Sequence, residues 1–502
     1  MIRLRRPGLL ACSFTLALGA LTPLTWGGPL DAKLRDLLSD IDLGGADVGV
    51  CVIDAATGDI LASRNADKPL IPASNQKLLT SAAALITLGP DFVFQTDLLL
   101  DASTLVIKGS GDPALGDPAI LSASEPPMTA GDLLESLAAA VARAAPPTLD
   151  QIVVDDRVFD REWAHPSWPD KDLNRWYCAE IGGLNFHANV ISVYVSPSPN
   201  GAGAEPTIEY EPQVPGISIE NHARTIRTGR NTTWVARPRP TNDFTLYGQI
   251  SSPLPEPILA AIHEPPTFTA KLLARELATA GVALSPSLAD NVRLAEPADR
   301  FDEATPVARV TTRLSDVLRR CNTDSYNLYA EALLKRIGHE VTSNPGSWSN
   351  GATVVRMLLS ERLGAQYAST TQIVDGSGMS RDNRVSTATL AAWLDMIADD
   401  PTLFEPFLAS LATPGEGTLT SRFKNVQINN VIKAKSGYLD GVYSLSGYVI
   451  DPRSGHTVVF SLLLNERDRH TPNAKRFHEA FVAEIDKWLT KNAPITATAP
   501  TD

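Results

Sequence analysis

The hydrophobic positions of this chain fall into two orderly stretches separated by a long irregular middle. Residues Asp31 to Ile41 carry apolar side chains at helical spacing, and Val48 to Ile53 and Asp59 to Arg64 read as strands flanking the turn residues Ala55-Ala56-Thr57-Gly58. From Pro72 to Leu88 the residues Leu78, Leu79, Ala82, Leu85 and Ile86 repeat at helical period with no charge after Lys77. That pattern predicts a buried helix beginning near Ser74. Between about Asp91 and Arg300 short β-rich runs such as Thr104 to Lys108, Gln151 to Val154 and Val190 to Val195 alternate with proline-rich turns. Two alanine-rich helical segments, Ala130 to Ala145 and Thr269 to Ala280, interrupt them. Helical spacing returns from about Val310, in Leu314 to Leu318, Tyr326 to Ile337, Ser349 to Leu363 and Thr387 to Ile397. Val431 to Lys435, Tyr443 to Ile450 and His456 to Leu464 then read as three successive strands, and Ala474 to Leu489 as a closing amphipathic helix.

The economical arrangement joins the early hairpin to the late strands in one antiparallel sheet with helices against it. The expected fold class is therefore α/β in the α+β sense, with residues 29–90 and 301–492 forming a discontinuous domain. Residues 91–300 are an inserted, mostly β excursion, and 493–502 a tail.

The first 28 residues differ from the rest. Arg3, Arg5 and Arg6 precede an apolar run from about Gly8 to Leu21, followed by Pro23 and the small pair Gly27-Gly28. This is the pattern of an export signal, and the run is shorter than the ~20 residues a membrane-spanning helix needs. Cys12 precedes most of the apolar run instead of ending it, so lipidation is not expected. The net charge of −13 becomes −16 once those three arginines are removed, which disfavours nucleic acid and anionic membrane as partners. Cys51, Cys178 and Cys321 remain, enough for one disulfide with none required, and they lack metal-ligand spacing. Cys51, within Val48 to Ile53, reads as a small buried hydrophobe.

The candidate chemistry begins with Ser74-Asn75-Gln76-Lys77. Positions i and i+3 share a helical face, so the Lys77 amine can reach the Ser74 hydroxyl and serve as the base that a hydroxyl nucleophile needs. An ordinary lysine, with pKa near ~10.4, is neutral in only about one molecule in 2500 at pH 7. Burial or a second cation must lower that pKa, and the apolar helix and the further lysines of Val431-Ile432-Lys433-Ala434-Lys435-Ser436-Gly437 supply both. A Ser-x-x-Lys tetrad alone arises by chance about once in a chain of this length. Ser421-Arg422-Phe423-Lys424 is such a case, with no apolar helix after it. The first tetrad gains weight from Ser325-Tyr326-Asn327 ahead of a helical segment and from Lys435-Ser436-Gly437 on a strand, in the order known for penicillin-interacting serine enzymes. The plainer reading of Ser325 and Asn327 is a helix cap. The eight histidines form no metal pattern, and neither a Gly-x-Ser-x-Gly elbow nor a glycine-rich phosphate loop is present.

With these motifs go Ile107-Lys108-Gly109-Ser110-Gly111-Asp112-Pro113, Asp375-Gly376-Ser377-Gly378-Met379-Ser380-Arg381-Asp382-Asn383, Gly417-Thr418-Leu419 and Ser444-Leu445-Ser446-Gly447-Tyr448. In this order the strings resemble the penicillin-binding protein 4 type of D-alanyl-D-alanine carboxypeptidase and endopeptidase, peptidase family S13. The ~250 residues between the first two motifs match the inserted domains of that family. The resemblance implies a transpeptidase-like catalytic domain acting on peptidoglycan stem peptides, acylated by β-lactams, needing no cofactor and working in the periplasm or outside the cell. It also implies roles. Ser74 would be acylated, Lys77 would take its proton, Ser325 would relay a proton to the leaving amine, and Asn327 would hold Lys77 and the substrate amide. Lys435 would supply positive potential, Ser436 would bind the substrate carboxylate beside Gly437, and the N–H groups of Ser74 and Tyr438 would form the oxyanion hole. Asp155, Phe159 and Arg381 are the positions matching the family's peptide-binding residues, although Asp155 also reads as a solvated strand-end carboxylate.

Two departures stand out. Ser436 replaces the usual threonine and keeps its hydroxyl, whereas Asp440 puts a negative charge where an anionic substrate would favour a neutral residue. A β-lactamase or esterase on the same motifs, or a non-catalytic sensor that keeps the fold, are the alternative readings. Intact Ser74, Lys77, Ser325, Asn327 and Lys435 argue against the sensor.

Overall fold

Alternation of side chains along the strands decides how the layers stack. In the computed structural model, which describes residues 28–494 apart from 215–216, 287, 289–290 and 468–472, the early and late strands form one five-stranded sheet. Its order is Val431–Leu439, Val442–Ile450, Thr457–Asn465, Asp47–Asp54, Ile60–Arg64, antiparallel throughout. The two strands Val442–Ile450 and Thr457–Asn465 are buried on both faces, Thr457–Asn465 as a nearly continuous apolar run and Val442–Ile450 with the small residues Ser444, Ser446 and Gly447 among its apolar ones. Val50, Val52, Leu445, Phe460 and Leu462 pack against the helix Ala474–Asn492 on one face. Cys51, Ile53, Tyr448, Val459 and Leu463 join the core of the helices on the other. The expected signal segment lies outside the described residues except for Gly28, as does the tail beyond residue 494.

The helix Gln76–Leu88 is the centre of that second face, with every residue from Gln76 to Leu85 buried. Helices Leu314–Asn322, Asn327–Thr342, Thr387–Ala398 and Pro401–Ser410 pack around it. Pro401–Ser410 was not legible as a helix because Pro406 interrupts its pattern.

The intervening chain builds a second five-stranded sheet in the order Val292–Leu294, Gln151–Asp155, Thr104–Lys108, Val93–Asp101, Thr305–Arg313. Parallel and antiparallel pairs mix in it. Helices Ala130–Arg143 and Pro265–Thr279 contribute to the hydrophobic core shared with this sheet. Thr305–Arg313 pairs along Val93–Asp101, so the excursion's sheet extends to Arg313, past the expected limit at residue 300. Its sequence mixes threonine, arginine, valine and proline with no strict two-residue alternation on a half-exposed edge, which hid the strand. Smaller sheets, among them Ile258–Ala261, Val190–Ser196 and Thr207–Glu211, complete the region. Cys51, Cys178 and Cys321 are free and buried. Among the described residues no helix is long and apolar enough to cross a membrane.

A buried acid ties the excursion to the helices. Asp117, fully buried, accepts from Arg320 Nη2 at 2.9 Å, from the Tyr329 hydroxyl at 2.6 Å and from Ala119 N at 2.8 Å. Removing one partner of such a pair strands the other charge. Asp117→Ala should therefore lower unfolding stability by about 3–5 kcal/mol, read as a fall in denaturant midpoint at unchanged slope.

Candidate active site

Ser74 occupies a 3-10 turn, Ala73–Asn75, that leads into the buried helix. Ala73 has φ +46°, a left-handed conformation costing roughly 1–3 kcal/mol for a side-chain-bearing residue, so the surroundings must hold it. The sheet does so. Asn75 Nδ2 donates to Lys435 O at 2.6 Å, Ser446 Oγ donates to Asn75 Oδ1 at 3.0 Å, and Ser444 Oγ donates to Pro72 O at 2.8 Å. Two glycines let neighbouring chains close on the turn. A Cβ on Gly437 would stand 2.7 Å from Ser74 N, and one on Gly378, whose φ is +83°, 1.8 Å from Ala73 O.

Lys77 Nζ donates to Ser74 Oγ at 3.0 Å, to Asn327 Oδ1 at 2.7 Å and to Ser377 O at 3.0 Å. The side chain is wholly buried, and loss of hydration pushes its pKa down to about 8 against the opposing pull of Cys321, Glu331 and Asp375. Lys435, equally buried, donates to Ser436 O at 2.7 Å, and burial together with the charge of Lys77 holds its pKa well below the lysine range. The pair thus resists carrying two protons at once.

The Asp375–Asn383 loop supplies the third acceptor of Lys77, and a carboxylate that the sequence did not single out supports it. Glu331, fully buried on the helix Asn327–Thr342, accepts from Gly376 N and Ser377 N at 2.8 Å each and from Trp348 Nε1 at 2.8 Å. Asp375 closes the loop on itself by accepting from Gly378 N at 2.8 Å, Ser380 N at 2.6 Å and Asn383 Nδ2 at 2.8 Å. Burial and the charge of Asp375 raise the Glu331 pKa.

Ser74 lies where two cavities, of about 340 and 490 Å³, meet. Ser325, Thr418 and Tyr438 line both. Ser436 and Gly437 face the smaller one, while Asn327, Leu439 and Asp440 face the larger. Ser325 itself has φ +62°, and the helix after it is capped by no side chain, its N-cap being Tyr326. The capping role considered for Ser325 and Asn327 is therefore not the one they fill. Asn327 Nδ2 donates to Tyr177 O at 2.7 Å, leaving its second N–H free of that bond.

Asp155 and Phe159 are not brought to this site. Asp155 is buried against Arg157, accepting from its Nε at 2.7 Å and its Nη2 at 2.9 Å, an i, i+2 pair at the strand end. Phe159, 2% exposed, packs beneath Gly111 and Gly346. The walls of the larger cavity come instead from Asp172, Trp176, Tyr177 and Met379. Asp172 and the two aromatics sit in short 3-10 turns whose irregular, Trp- and Pro-containing sequence offers no period to read. Arg381 Nη1 donates at 2.8 Å to the carbonyl of Asp440, a residue that lines the larger cavity.

The sequence model of the D-Ala-D-Ala carboxypeptidase 3 (S13) family matches residues 30–489. The chain belongs to that family. Among S13 relatives, it is 31% identical over 494 residues to a D-alanyl-D-alanine carboxypeptidase of Actinomadura sp. (strain R39), covering 92% of this chain and 87% of that protein. It is 24% identical over 433 residues to the D-alanyl-D-alanine carboxypeptidase DacB of Haemophilus influenzae, covering 84% and 86%. The crystal structure of penicillin binding protein 4 from Haemophilus influenzae superposes with a TM-score of 0.73 at 22% identity, over 91% of this chain and 99% of that one. The fold is thus the one expected from the motifs.

In this S13 peptidase the buried anion nearest the loop biases the amine. Glu331 favours the ammonium form of Lys77, so neutralising it must lower the Lys77 pKa further. Lysine side-chain NMR titration should find Lys77 near pH 8 in the parent and at lower pH in Glu331→Gln.

Proposed function

We propose that the chain is a serine-type D-alanyl-D-alanine carboxypeptidase and DD-endopeptidase of peptidoglycan stem peptides, working through a Ser74 acyl-enzyme. The observation that carries this reading is the three-way hold on the Lys77 amine beside Ser74 Oγ in a wholly buried setting. With a pKa of about 8 the amine is neutral in about one molecule in ten at pH 7, a gain of more than a hundredfold over a solvated lysine.

In the first step Ser74 Oγ attacks the carbonyl carbon of a D-alanyl bond and its proton passes to Lys77 Nζ. The negative oxygen of the tetrahedral intermediate is held by the N–H groups of Ser74 and Tyr438, which the small approach at Gly437 brings together. The proton then reaches the leaving nitrogen through the Ser325 hydroxyl, the C–N bond breaks, and the free amine departs. Water attacks the resulting ester by the same route, regenerating Ser74. Asn327 holds Lys77 through its Oδ1 and offers its remaining N–H to the substrate amide. Lys435 and Ser436 favour a carboxylate on the leaving side.

The acyl portion of the peptide lies along Tyr438, Leu439 and Asp440, against Trp176, Tyr177 and Met379. Asp172 and Arg381 flank that cavity and suit a charged stem-peptide side chain, in place of the expected pair Asp155 and Phe159. A β-lactam presents a ring-strained amide at the same place and acylates Ser74. Action outside the cytoplasm goes with this reading, since residues 1–28 carry the pattern of an export signal.

Fluorescent penicillin should label the parent chain and fail to label Ser74→Ala, and purified muropeptides should lose D-alanine or cross-links only with the parent. Because Lys77 must be neutral to accept the proton, acylation should rise with pH through about 8. A rate that is flat across that range, or label retained by Ser74→Ala, would count against the mechanism.

A further inference from the structure

The loop that faces Lys77 is closed by an indole from the excursion. Asp375, fully buried, engages four donors with its two carboxylate oxygens. Three belong to its own loop: Gly378 N and Asn383 Nδ2 on Oδ1, and Ser380 N on Oδ2. The fourth is Trp168 Nε1, 3.0 Å from Oδ2 and 207 positions away in sequence. Among the described residues it is the one donor to this carboxylate from outside the loop. The preceding residue adds a second tie, Ser167 Oγ donating to Ser380 Oγ at 2.8 Å.

Trp168 is itself held from behind. It is buried and packs edge-on against Trp348, with ring centroids 5.9 Å apart. Trp348 Nε1 donates to Glu331, so the two acids that hold the loop each take one indole N–H. Lys335 Nζ, 3.8 Å from the Trp348 ring centroid, donates to Asp160 Oδ1 at 2.6 Å and to Glu162 O at 2.7 Å. The excursion is thereby fixed to the helix that carries Glu331. The far side of the loop reaches the nucleophile. Ser377 O accepts from Lys77 Nζ, and Gly378 leaves no room for a Cβ beside Ala73 O. Any shift of Asp375 is thus passed within three residues to the acceptor of the amine and to the left-handed residue before Ser74.

We infer that Trp168 and its neighbour Ser167 are positioning residues for acylation, acting through Asp375 and Ser380 on the loop that places Lys77 against Ser74. Resting on the peptidase reading, this gives the excursion a part in the chemical step as well as in the cavity wall. Neither residue lines the two cavities at Ser74, so neither acts by touching substrate. Without the indole N–H a buried carboxylate loses a donor, and the loop relaxes outward and admits water to the amine. Cys321, Glu331, Asp375 and Lys435 all face that amine, but burial is the largest influence on it. Hydration therefore returns its pKa toward the lysine range.

The test measures penicillin acylation of the full chain across pH, resolved into a binding constant and an acylation rate constant. Trp168→Phe keeps an aromatic ring and removes the donor. It should lower the acylation rate constant about tenfold and leave the binding constant near that of the parent. It should also move the pH midpoint of acylation above the parent's, which is expected near 8. Ser167→Ala should shift rate and midpoint in the same directions by less. A folded Trp168→Phe with the parent's rate and midpoint overturns the inference, as does one whose rate falls while the midpoint stays. Should Trp168→Phe not fold, Ser167→Ala decides in the same terms. In each of these cases an acylated parent leaves the peptidase reading standing, whereas a parent that penicillin does not acylate removes both.

Discussion

Everything at the active centre depends on keeping the amine of Lys77 out of water while giving it three acceptors. Burial alone would neutralise the lysine but leave its position undefined. Hydrogen bonds alone, made in water, would fix it while leaving it charged. The structure combines the two by starting a wholly buried helix at the nucleophile and closing over its first turn with Asn327 and the carbonyl of Ser377. The acceptors are neutral dipoles, which orient the amine without raising its pKa as a carboxylate at contact would. The nearby carboxylates of Glu331 and Asp375 are spent instead on backbone N–H groups of the loop.

The geometry around the amine also explains why the fold is divided in sequence. The turn at Ser74 is held by Asn75 against Lys435, by Ser446 against Asn75 and by Ser444 against Pro72, contacts spanning about 360 to 370 residues. The excursion between the two halves is not a passive insert, because Tyr177 O takes a hydrogen bond from Asn327 and Asp117 grips Arg320 and Tyr329. The larger cavity accordingly has one wall from the excursion and one from the sheet edge.

What could be read beforehand was what local spacing encodes. Ser74 and Lys77 announce themselves by a one-turn separation before an apolar helix, and Gly437 by a strand that must pass close to another backbone. The central sheet is legible from short β-rich runs bounded by turn residues at both ends of the chain. Glu331 could not be singled out, because within its own helix it is one acid among apolar residues, and its partners lie about 45 positions away. The place of Asp155 among the binding residues rests on the family resemblance, which does not show its neighbour Arg157 folded back on the carboxylate. Asp172, Trp176 and Tyr177 belong to turns with no period, so their placement is a tertiary fact.

The distance along the chain between Lys77 and the groups that surround it carries a consequence for when the protein becomes reactive. Until the segments around residues 327, 377 and 435 arrive, the amine is solvated and protonated like any other lysine, and the neighbouring hydroxyl is an ordinary alcohol. Reactivity is thus a product of completed folding. A nascent or unfolded chain is inert toward acyl donors, with no pro-segment needed to keep it so.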